Sequence, residues 1–316
     1  MKLFALPIMA VLAHIIVCGD AQAQGGSPRR GFEELPPILQ KAVRNSMQLK
    51  FAGERIWELK EGPRRERIRE IVWRDGKNLR IERLGSGDVI VERGEKRRTF
   101  FANQNEIFES RAQRDEVISR LIQSIRASKG AVKVESGEPI AGMKTEKVVI
   151  ADPRGNVSQL LWIDEKTGLI LKRELRDNVG AVVGLMEFVK LDYSPNFRPG
   201  DFEIRRNAPV FTAVDVAKRL IRKNGFEAIF LEGEGIELDT TKAVGSGGSA
   251  ALVQHYQTPV GLVSLVQFKE VPTRSPGMER MGRSAFRFKV GEKEMMLIGH
   301  TGESELRRLA QRAVRK

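Results

Sequence analysis

The stretch from Asn156 to Tyr193 limits what the chain can fold into more than any other part of the sequence. It contains three apolar runs, Val157 to Ile163, Leu169 to Leu175 and Ala181 to Leu191, which are separated by two turn signals. This spacing is typical of an antiparallel meander. In the middle run leucines alternate with mostly polar residues, so one face of that strand is apolar. A sheet with one wet face needs a cover for its apolar face.

Two amphipathic segments are candidates for that cover. Pro36 and Pro37 open the first, a helix that runs to about residue 48. The second runs from Asp115 to Ser128, with Asp115 as its cap. Its apolar stripe consists of Val117, Ile118, Leu121, Ile122 and Ile125. Both stripes recur at helical spacing, so both segments are predicted to lie on the sheet.

Strand patterns fill most of the remaining first half. About five strands are predicted between Leu49 and Asn103, with turn signals that include Asp75-Gly76. Two more are predicted at Val132 to Glu135 and Glu146 to Ala151, ahead of the meander. A twisted open sheet of roughly nine or ten strands tends to curl. Curling around two apolar helices predicts a half-barrel with an apolar interior.

The predicted fold class is α+β in two domains. Residues 36–193 form a large curled antiparallel half-barrel sheet with covering helices, and residues 194–209 are a proline-rich linker. Residues 210–316 form a smaller α+β domain. A helix is predicted over Asp215 to Asn224, and a last one over Glu303 to Val314.

The first residues predict export to the periplasm. Lys2 is followed by an apolar run from Leu3 to Cys18 and by a small-residue site ending at Ala23, which is the pattern of a cleaved signal peptide. Cys18 raises the alternative of a lipoprotein signal, but Val17 is not the small residue that such a signal normally has before its cysteine. Cleavage after Ala23 removes the single cysteine, so the mature chain is predicted to fold without disulfides.

The charge of the chain favours acidic partners. The formal net charge is +13 and the pI is near 10.0. Anionic lipid head groups, lipopolysaccharide phosphates, an acidic protein segment and nucleic acid all fit this charge, and so does ordinary solvation of a basic protein. Export disfavours nucleic acid. So do two Tyr and three Trp, because single-strand binders stack bases on aromatic side chains.

The sequence carries no motif for catalysis, metal binding or cofactor binding. His255 and His300 have no neighbouring ligands at zinc spacing, and no GxSxG, P-loop or GxGxxG element is present. Asp164 with Glu165 or Asp152 could be pictured as a carboxylate pair. Because Asp164 ends a strand ahead of a Thr-Gly turn, the better interpretation is that it serves the turn. The chain is therefore predicted to be no enzyme and to use no cofactor.

Several stretches of sequence resemble one known family. They are Gly137 to Thr145 (GEPIAGMKT), Leu160 to Asp164 (LLWID), Thr167 to Lys172 (TGLILK), Glu92 to Glu95 (ERGE), Gln254 to Tyr256 (QHY), Gly261 to Leu265 (GLVSL) and Leu297 to Gly299 (LIG). These motifs and their order resemble the MucB/RseB family of periplasmic regulators of envelope-stress sigma factors. The resemblance covers residues from about 38 to 315. The early strands have fewer aromatic residues than the family pattern, and individual partner-binding residues cannot be matched.

The resemblance implies both a fold and a function. The implied first domain is of the lipoprotein-carrier type, a half-barrel closed by helices around an apolar cavity. The implied partner is the periplasmic segment of a single-span anti-sigma factor, which is shielded from proteolysis until lipopolysaccharide or lipoprotein lipid releases it. The candidate cavity-lining residues are Phe51, Leu79, Ile81, Ile118, Leu121, Ile122, Trp162 and Leu171.

Three functions compete on the sequence alone. The favoured one is the periplasmic regulator, with a hinge near residues 194–209 through which lipid binding could change partner affinity. The alternative is a periplasmic lipid or lipoprotein carrier, against which the second domain counts because a simple carrier needs only the first. The third is a basic structural protein of the envelope, in which no lipid would be bound. Self-association into a homo-oligomer stays open, and so does the choice between an open cavity and a packed core.

Overall fold

The computed structural model contains two compact units. The described residues are 35–45, 48–61, 64–112, 125, 131–245, 247–270 and 284–316. Unit 1 comprises the described residues up to Asn105 together with Ala112–Asn207, and unit 2 comprises Glu106–Arg111 together with Ala208–Lys316. The predicted signal peptide and all of the predicted helix 115–128 except Ile125 lie outside the described residues.

Strands outnumber helices in both units. The described helices are α1 (Pro37–Asn45), α2 (Ala213–Asn224) and α3 (Glu303–Ala310). The first strands are β1 (Lys50–Glu61), β2 (Arg64–Asp75), β3 (Asn78–Leu84), β4 (Val89–Arg93), β5 (Lys96–Phe101) and β6 (Glu106–Arg111). The next are β7 (Val132–Ser136), β8 (Thr145–Ala151), β9 (Val157–Asp164), β10 (Ile170–Arg176) and β11 (Val182–Asp192). The last are β12 (Val210–Thr212), β13 (Ile229–Leu231), β14 (Glu237–Val244), β15 (Ala251–Thr258), β16 (Gly261–Phe268), β17 (Ser284–Val290), β18 (Lys293–Gly299) and β19 (Ala313–Arg315).

The strands of unit 1 form an open, curled antiparallel sheet. Their hydrogen-bonded order is β5-β4-β3-β2-β1-β11-β10-β9-β8-β7. The predicted meander is confirmed as β9, β10 and β11, and the five strands predicted before residue 103 are confirmed as β1 to β5. The first and last strands of the unit, β1 and β11, pair with each other and join the two halves of the sheet.

The register of strand pairing divides the side chains of unit 1 between two faces. Directly opposed residues share a face, and residues two apart on one strand share it as well. Following such pairs across the sheet defines one face, called the covered face, that includes Phe51, Val72, Ile81, Phe188, Met186 and Leu161. Helix α1 packs against this face. The opposite face, called the outer face, carries the alternating residues, among them Ile56, Arg69 and Trp162.

The segment predicted as a linker is packed on unit 1 in its first part. The Arg80 guanidinium donates to the carbonyl oxygen of Glu203 at 2.7 Å, and Arg93 pairs with the Glu203 carboxylate at 2.8 Å. Phe202 is buried and contacts Phe197 edge-on, with ring centres 5.0 Å apart. Residues up to Asn207 therefore belong to unit 1, and the boundaries at 193 and 209 stay predictions.

Unit 2 is built on a five-stranded antiparallel sheet with the order β14-β15-β16-β18-β17. Helix α2 begins with a capping box between Thr212 and Asp215, two residues ahead of the predicted start at Asp215. The predicted stop at Gly225 is confirmed, and this glycine has the left-handed conformation. Its buried Ala217 and Ile221 pack with residues of β13 and β15. Strand β12, which precedes α2, pairs in parallel with β6.

The C-terminal helix differs from its prediction. Helix α3 ends at Ala310, and β19 over Ala313–Arg315 pairs with β13, so the predicted extension of the helix to Val314 was wrong. Pairing with a distant strand outweighs the helical pattern of alanine and arginine there, because strand formation depends on tertiary context. Strand β6 was not predicted, and it clusters with unit 2 although it lies between two stretches of unit 1.

Candidate functional site

The apolar end of the covered face lies under helix α1. The helix buries Ile38, Leu39 and Ala42 against Val148, Ile150, Leu161 and Ile163 of β8 and β9. Ile125, from the predicted second helix, is buried in the same cluster. Each large aliphatic side chain buried in this way contributes about 1.5–3 kcal/mol. This packing therefore holds α1 on the sheet, as the amphipathic pattern predicts for the first helix.

The predicted cavity-lining residues do not all meet on this face. Phe51, Leu79 and Ile81 lie on the covered face in β1 and β3, and the Phe51 ring contacts Phe188 edge-on at 5.8 Å between centres. Leu171 is fully buried in the same cluster as Phe51 and Ile81. The predicted residues that lie outside the described part of the chain are Ile118, Leu121 and Ile122.

Trp162 lies on the outer face of the sheet. It alternates along β9 with Leu161 and Ile163, whose side chains contact the α1 cluster. The Trp162 indole Nε1 donates to Glu138 Oε2 at 2.6 Å, and Lys172 Nζ lies 4.5 Å from the ring centre. The structure thus separates Trp162 from the residues under α1. Because the run LLWI is apolar at every position, its periodicity could not tell which alternate set faces the helix.

The other end of the covered face is ionic. Glu70 is 3% exposed and accepts hydrogen bonds from Arg55 Nε at 2.8 Å, Trp57 Nε1 at 2.9 Å and Arg83 Nε at 3.2 Å. Burial by itself raises the pKa of the Glu70 carboxyl, but the charges and hydrogen bonds of the two arginines outweigh it and hold that pKa below its usual range. Glu70 is therefore an ionised carboxylate that is buried on the covered face of the sheet.

Further arginines lie on the same face. Arg97 is opposite Glu92 on β5 and β4, with 3.8 Å between nitrogen and oxygen, and burial lowers the pKa of Arg97. Burial also lowers the pKa of Arg173, whose Nε donates to Gln159 Oε1 at 2.6 Å. The interior predicted to be apolar therefore contains buried charge. In the sequence, the alternating Arg and Glu residues of β1 to β5 suggest a solvent-exposed face. The buried ion pairs of Glu70 and Glu92 become evident only from the strand register.

Asp164 serves the turn between β9 and β10, which confirms its predicted role. Its Oδ2 accepts hydrogen bonds from Thr167 Oγ1 and Tyr193 Oη, both at 2.6 Å, and its Oδ1 accepts one from the Lys166 backbone N–H at 3.1 Å. Burial and the hydrogen bond to Asp164 raise the pKa of Tyr193. The phenol therefore stays protonated and can donate at any physiological pH.

This turn also holds helix α1 through polar contacts. Lys41 Nζ donates to the carbonyl oxygen of Glu165 at 2.7 Å, and Asn45 Nδ2 donates to that of Thr167 at 2.8 Å. Gly168 has a φ of +80°, and a Cβ there would lie 2.9–3.0 Å from atoms of Lys41 and Ala42. Only glycine fits between the turn and the helix without a shift.

The described residues offer little catalytic or metal chemistry. His255 Nδ1 lies 2.8 Å from Ser264 Oγ, a side-chain hydrogen bond between β15 and β16. Within the described ranges, no group of three or more His, Cys, Asp or Glu side chains could hold a metal ion. None of the helices in those ranges is long and apolar enough to cross a membrane.

A family model decides the relationship of the chain. The model of the MucB/RseB N-terminal domain matches residues 36–207, which include every strand of unit 1. The chain belongs to the MucB/RseB family. No protein among those with curated functions matches it.

Solved structures similar to this MucB/RseB chain include MucB itself. One MucB crystal structure is 14% identical, with a TM-score of 0.42, over 88% of this chain and 97% of that one. The Pseudomonas aeruginosa MucA/MucB complex is 12% identical, with a TM-score of 0.43, over 90% of this chain and 99% of that one. A LolA superfamily protein from Nitrosomonas europaea is 13% identical, with a TM-score of 0.27, over 53% of this chain and 96% of that one.

The MucB/RseB-like motif GEPIAGMKT forms a strap, residues 137–143, on the outer face. Ile140 and Met143 form an isolated bridge, and Ile140 is buried beside Trp162 in one cluster. The Glu138 carbonyl oxygen accepts a hydrogen bond from Thr145 Oγ1 at 2.8 Å. Because Ala141 has a φ of +49°, the strap turns through a backbone conformation that alanine seldom adopts. The strap thus closes the outer face over the indole.

Proposed function

We propose that the chain is a non-enzymatic periplasmic regulator of the envelope-stress response. It binds the periplasmic segment of a single-span anti-sigma factor and modulates proteolysis of that segment. The observation that carries this proposal is the MucB/RseB match over residues 36–207, which takes in the whole sheet of unit 1. The signal-peptide pattern ahead of Ala23 supports a periplasmic location.

The covered face of unit 1 is the proposed site for lipid or lipopolysaccharide. The aliphatic cluster under α1 supports contact with acyl chains, and buried guanidinium groups such as that of Arg173 support contact with phosphate. The proposed contacts are Phe51, Leu79, Ile81 and Leu171, with Ile118, Leu121 and Ile122 from the predicted second helix. Trp162, which was also predicted as a contact, shares an apolar cluster with Phe51, Ile81 and Leu171, but the strand register gives it the outer face, under the strap.

Lipid can release the partner only through a difference in affinity. A ligand shifts an equilibrium between two forms only as far as it binds one of them more tightly. A coupling of about 1–3 kcal/mol, which is typical of allosteric proteins, changes the partner's Kd about 5- to 150-fold. The proposal therefore requires that lipid-loaded protein binds the anti-sigma segment measurably more weakly than lipid-free protein does.

Calorimetric titration tests the proposed partner directly. The chain beginning at Gln24 would be titrated with the periplasmic segment of the single-span protein encoded beside it, and with a scrambled segment of equal charge as the control. We expect a Kd of about 1 µM or tighter for the true segment only. Absence of binding at micromolar concentration would contradict the proposal. In a parallel assay, bound segment should be cut more slowly by a general protease than free segment.

A periplasmic lipid or lipoprotein carrier is the second candidate. The helix-covered aliphatic cluster favours this function, because such a surface suits an acyl chain whether or not the protein also binds an anti-sigma factor. A carrier would transfer a bound fluorescent fatty acid to an acceptor protein and would leave the rate at which a protease cleaves the anti-sigma segment unchanged. A regulator would change that cleavage, so the protease assay separates the two functions.

A further inference from the structure

Among the described residues, the outer face of unit 1 is covered in two places and open in a third. The strap closes it over Trp162, and residues 197–206 close it near Trp73 and Phe100, where Arg80 and Arg206 stack on the rings. Between these two covers lies a cleft of about 410 Å³, called the outer groove. Its lining residues are Glu54, Ile56, Arg67, Arg69, Leu84, Val189 and Lys190.

The floor of the outer groove is aliphatic and accessible. Ile56 and Leu84 lie on either side of Arg69 by the pairing of β1, β2 and β3. Leu84 is 42% exposed and Val189 is 41% exposed. Val189 is the extra residue of a β-bulge, because Glu54 pairs with Lys190 whereas the next residue, Arg55, pairs with Phe188. The bulge adds an apolar side chain to the floor.

The rim of the outer groove carries an excess of positive charge. Arg69 and Lys190 both pair with Glu54, and Arg67 pairs with Glu58 at 3.4 Å. Arg67 and Lys190 nevertheless remain 63% and 78% exposed. Among the lining residues, three cations, Arg67, Arg69 and Lys190, therefore meet one carboxylate, Glu54. Lys60 and Arg65 adjoin the groove on the same face, and so do the carboxylates of Glu58 and Glu187.

Lys60 and Arg65 are directly opposite each other on β1 and β2, and both are exposed. Like charges in this arrangement repel each other and destabilise the hairpin. An anionic group bound between them would remove the repulsion. The position of this pair, two residues beyond Glu58 and Arg67 along the same face, extends the basic rim of the groove.

The strand edge beside the groove indicates what kind of anionic partner fits. Strand β3 ends at Leu84 opposite Arg69, and within the described residues no strand pairs with β2 beyond that point on the same side. Such an edge presents both N–H donors and C=O acceptors. An extended polypeptide uses both kinds of group, whereas a lipid phosphate or carboxylate can use only the donors.

We propose that the outer groove docks an acidic polypeptide segment with aliphatic side chains. The aliphatic side chains lie on Ile56, Leu84 and Val189, the acidic ones meet the arginine rim, and the backbone runs along the free edge of β2. The inference rests on the proposed function, because the segment is taken to be part of the anti-sigma partner. Beyond the proposed function, the inference identifies the outer groove as the surface of this chain that the partner contacts.

Titration of groove variants with the periplasmic segment of the co-encoded single-span protein tests this inference. The charge variant is Arg65→Glu with Arg67→Glu, and the apolar variant is Leu84→Ser. The matched control is Lys133→Glu with Arg154→Glu, which makes the same change in net charge at exposed positions outside the groove. Because all of these side chains are exposed, thermal unfolding should show that every variant is folded.

We expect the charge variant to bind the segment about tenfold or more weakly, with the control unchanged. Leu84→Ser should weaken binding as well, and raising the salt from about 0.05 to 0.5 M should weaken wild-type binding more than binding of the charge variant. Equal binding by wild type and both groove variants would overturn the groove and leave the proposed function standing. No binding by wild type would overturn both. If the charge variant lost only its binding to phosphatidylglycerol vesicles, the groove would be a lipid surface and the inference wrong.

Discussion

Glu70 is the residue whose chemistry most sets this sheet apart from an ordinary apolar half-barrel. It lies on the covered face with Arg55, Trp57 and Arg83 as hydrogen-bond donors. Buried carboxylates of this kind are stable only because their partners are present. The carboxylate is therefore part of the interior structure of unit 1, and its loss would leave arginine charge without compensation.

Glu70→Gln should lower the free energy of unfolding by about 3–5 kcal/mol at pH 7, because it breaks a buried ion pair. Urea unfolding measures the change. Glu165→Gln, at an exposed position, is the control and should change stability by less than about 0.5 kcal/mol. A loss of similar size in both variants would contradict the role given to Glu70.

The difference in stability between wild type and Glu70→Gln should depend on pH, and the sign of that dependence is defined. The folded-state pKa of Glu70 lies below its unfolded value, so its contribution to stability is present above the unfolded pKa of about 4.3 and is lost as pH falls through the folded pKa. The difference between wild type and Glu70→Gln should therefore be constant near neutral pH and shrink in acid. A difference that grew below about pH 4 would contradict this sign.

Tyr193 and Asp164 should be energetically coupled. Tyr193 Oη donates to Asp164 Oδ2 at 2.6 Å, and Thr167 Oγ1 lies within 2.8 Å of the same phenol. Tyr193→Phe and Asp164→Asn should each cost about 1–3 kcal/mol, and their double-mutant cycle should give an interaction of about 0.5–3 kcal/mol. Urea unfolding of the three variants supplies the cycle. Strict additivity would show that the hydrogen bond is not formed in solution.

At the level of single residues, the sequence identified the role of Asp164 but not the face of Trp162. A Thr-Gly pair three residues after aspartate is a local signal, so it could be read directly. The face of Trp162 depends on which neighbours of an all-apolar strand meet helix α1, and that is a long-range property. The ion pairs of Glu70 likewise depend on strand register, which no local pattern supplies.

Among the elements, the contact between helix α1 and the β9–β10 turn is the one most open to a matched experiment. Gly168 and Gly180 occupy the two turns of the meander with nearly equal φ values of +80° and +84°. A Cβ at Gly168 would meet helix α1, whereas a Cβ at Gly180 would meet nothing within 4 Å. The two sites therefore share backbone strain and differ in packing.

Gly180→Ala should cost about 1–2 kcal/mol from the left-handed conformation alone. Gly168→Ala should cost about 1–3 kcal/mol more, because the added methyl group forces the helix away from the sheet. Chemical unfolding of both variants gives the difference. Equal losses would mean that α1 is not seated on the turn, and the cover proposed for the meander would then be wrong.

The element pattern was predictable where local signals agree with pairing, and unpredictable where they conflict. Helix α2 has a capping box and a terminal glycine that define both of its ends. Residues 311–314 continue the helical pattern of α3, yet Ala313–Arg315 pairs with β13. Pairing with a distant strand determines the conformation of this segment, and its local sequence carries no sign of that strand.

For the whole molecule, the proline-rich region after Tyr193 predicts two domains, and the domain boundaries stay predictions. The grouping of β6 with unit 2 was not predicted. Glu106–Arg111 lies in the middle of the first half of the sequence, and it pairs with β12 of unit 2. Nothing in the six residues EIFESR indicates which unit they join. The grouping of this strand with Ala208–Lys316 therefore depends on strand pairing and carries no local sequence signal.

The regulator proposed here depends on one coupling, between lipid on the covered face and the anti-sigma segment. Calorimetric titration of the chain beginning at Gln24 with the periplasmic segment of the co-encoded single-span protein, without lipid and after loading with lipopolysaccharide, measures that coupling directly. We predict that loading raises the Kd at least about fivefold. An unchanged Kd in protein shown by mass spectrometry to carry lipopolysaccharide would contradict the account.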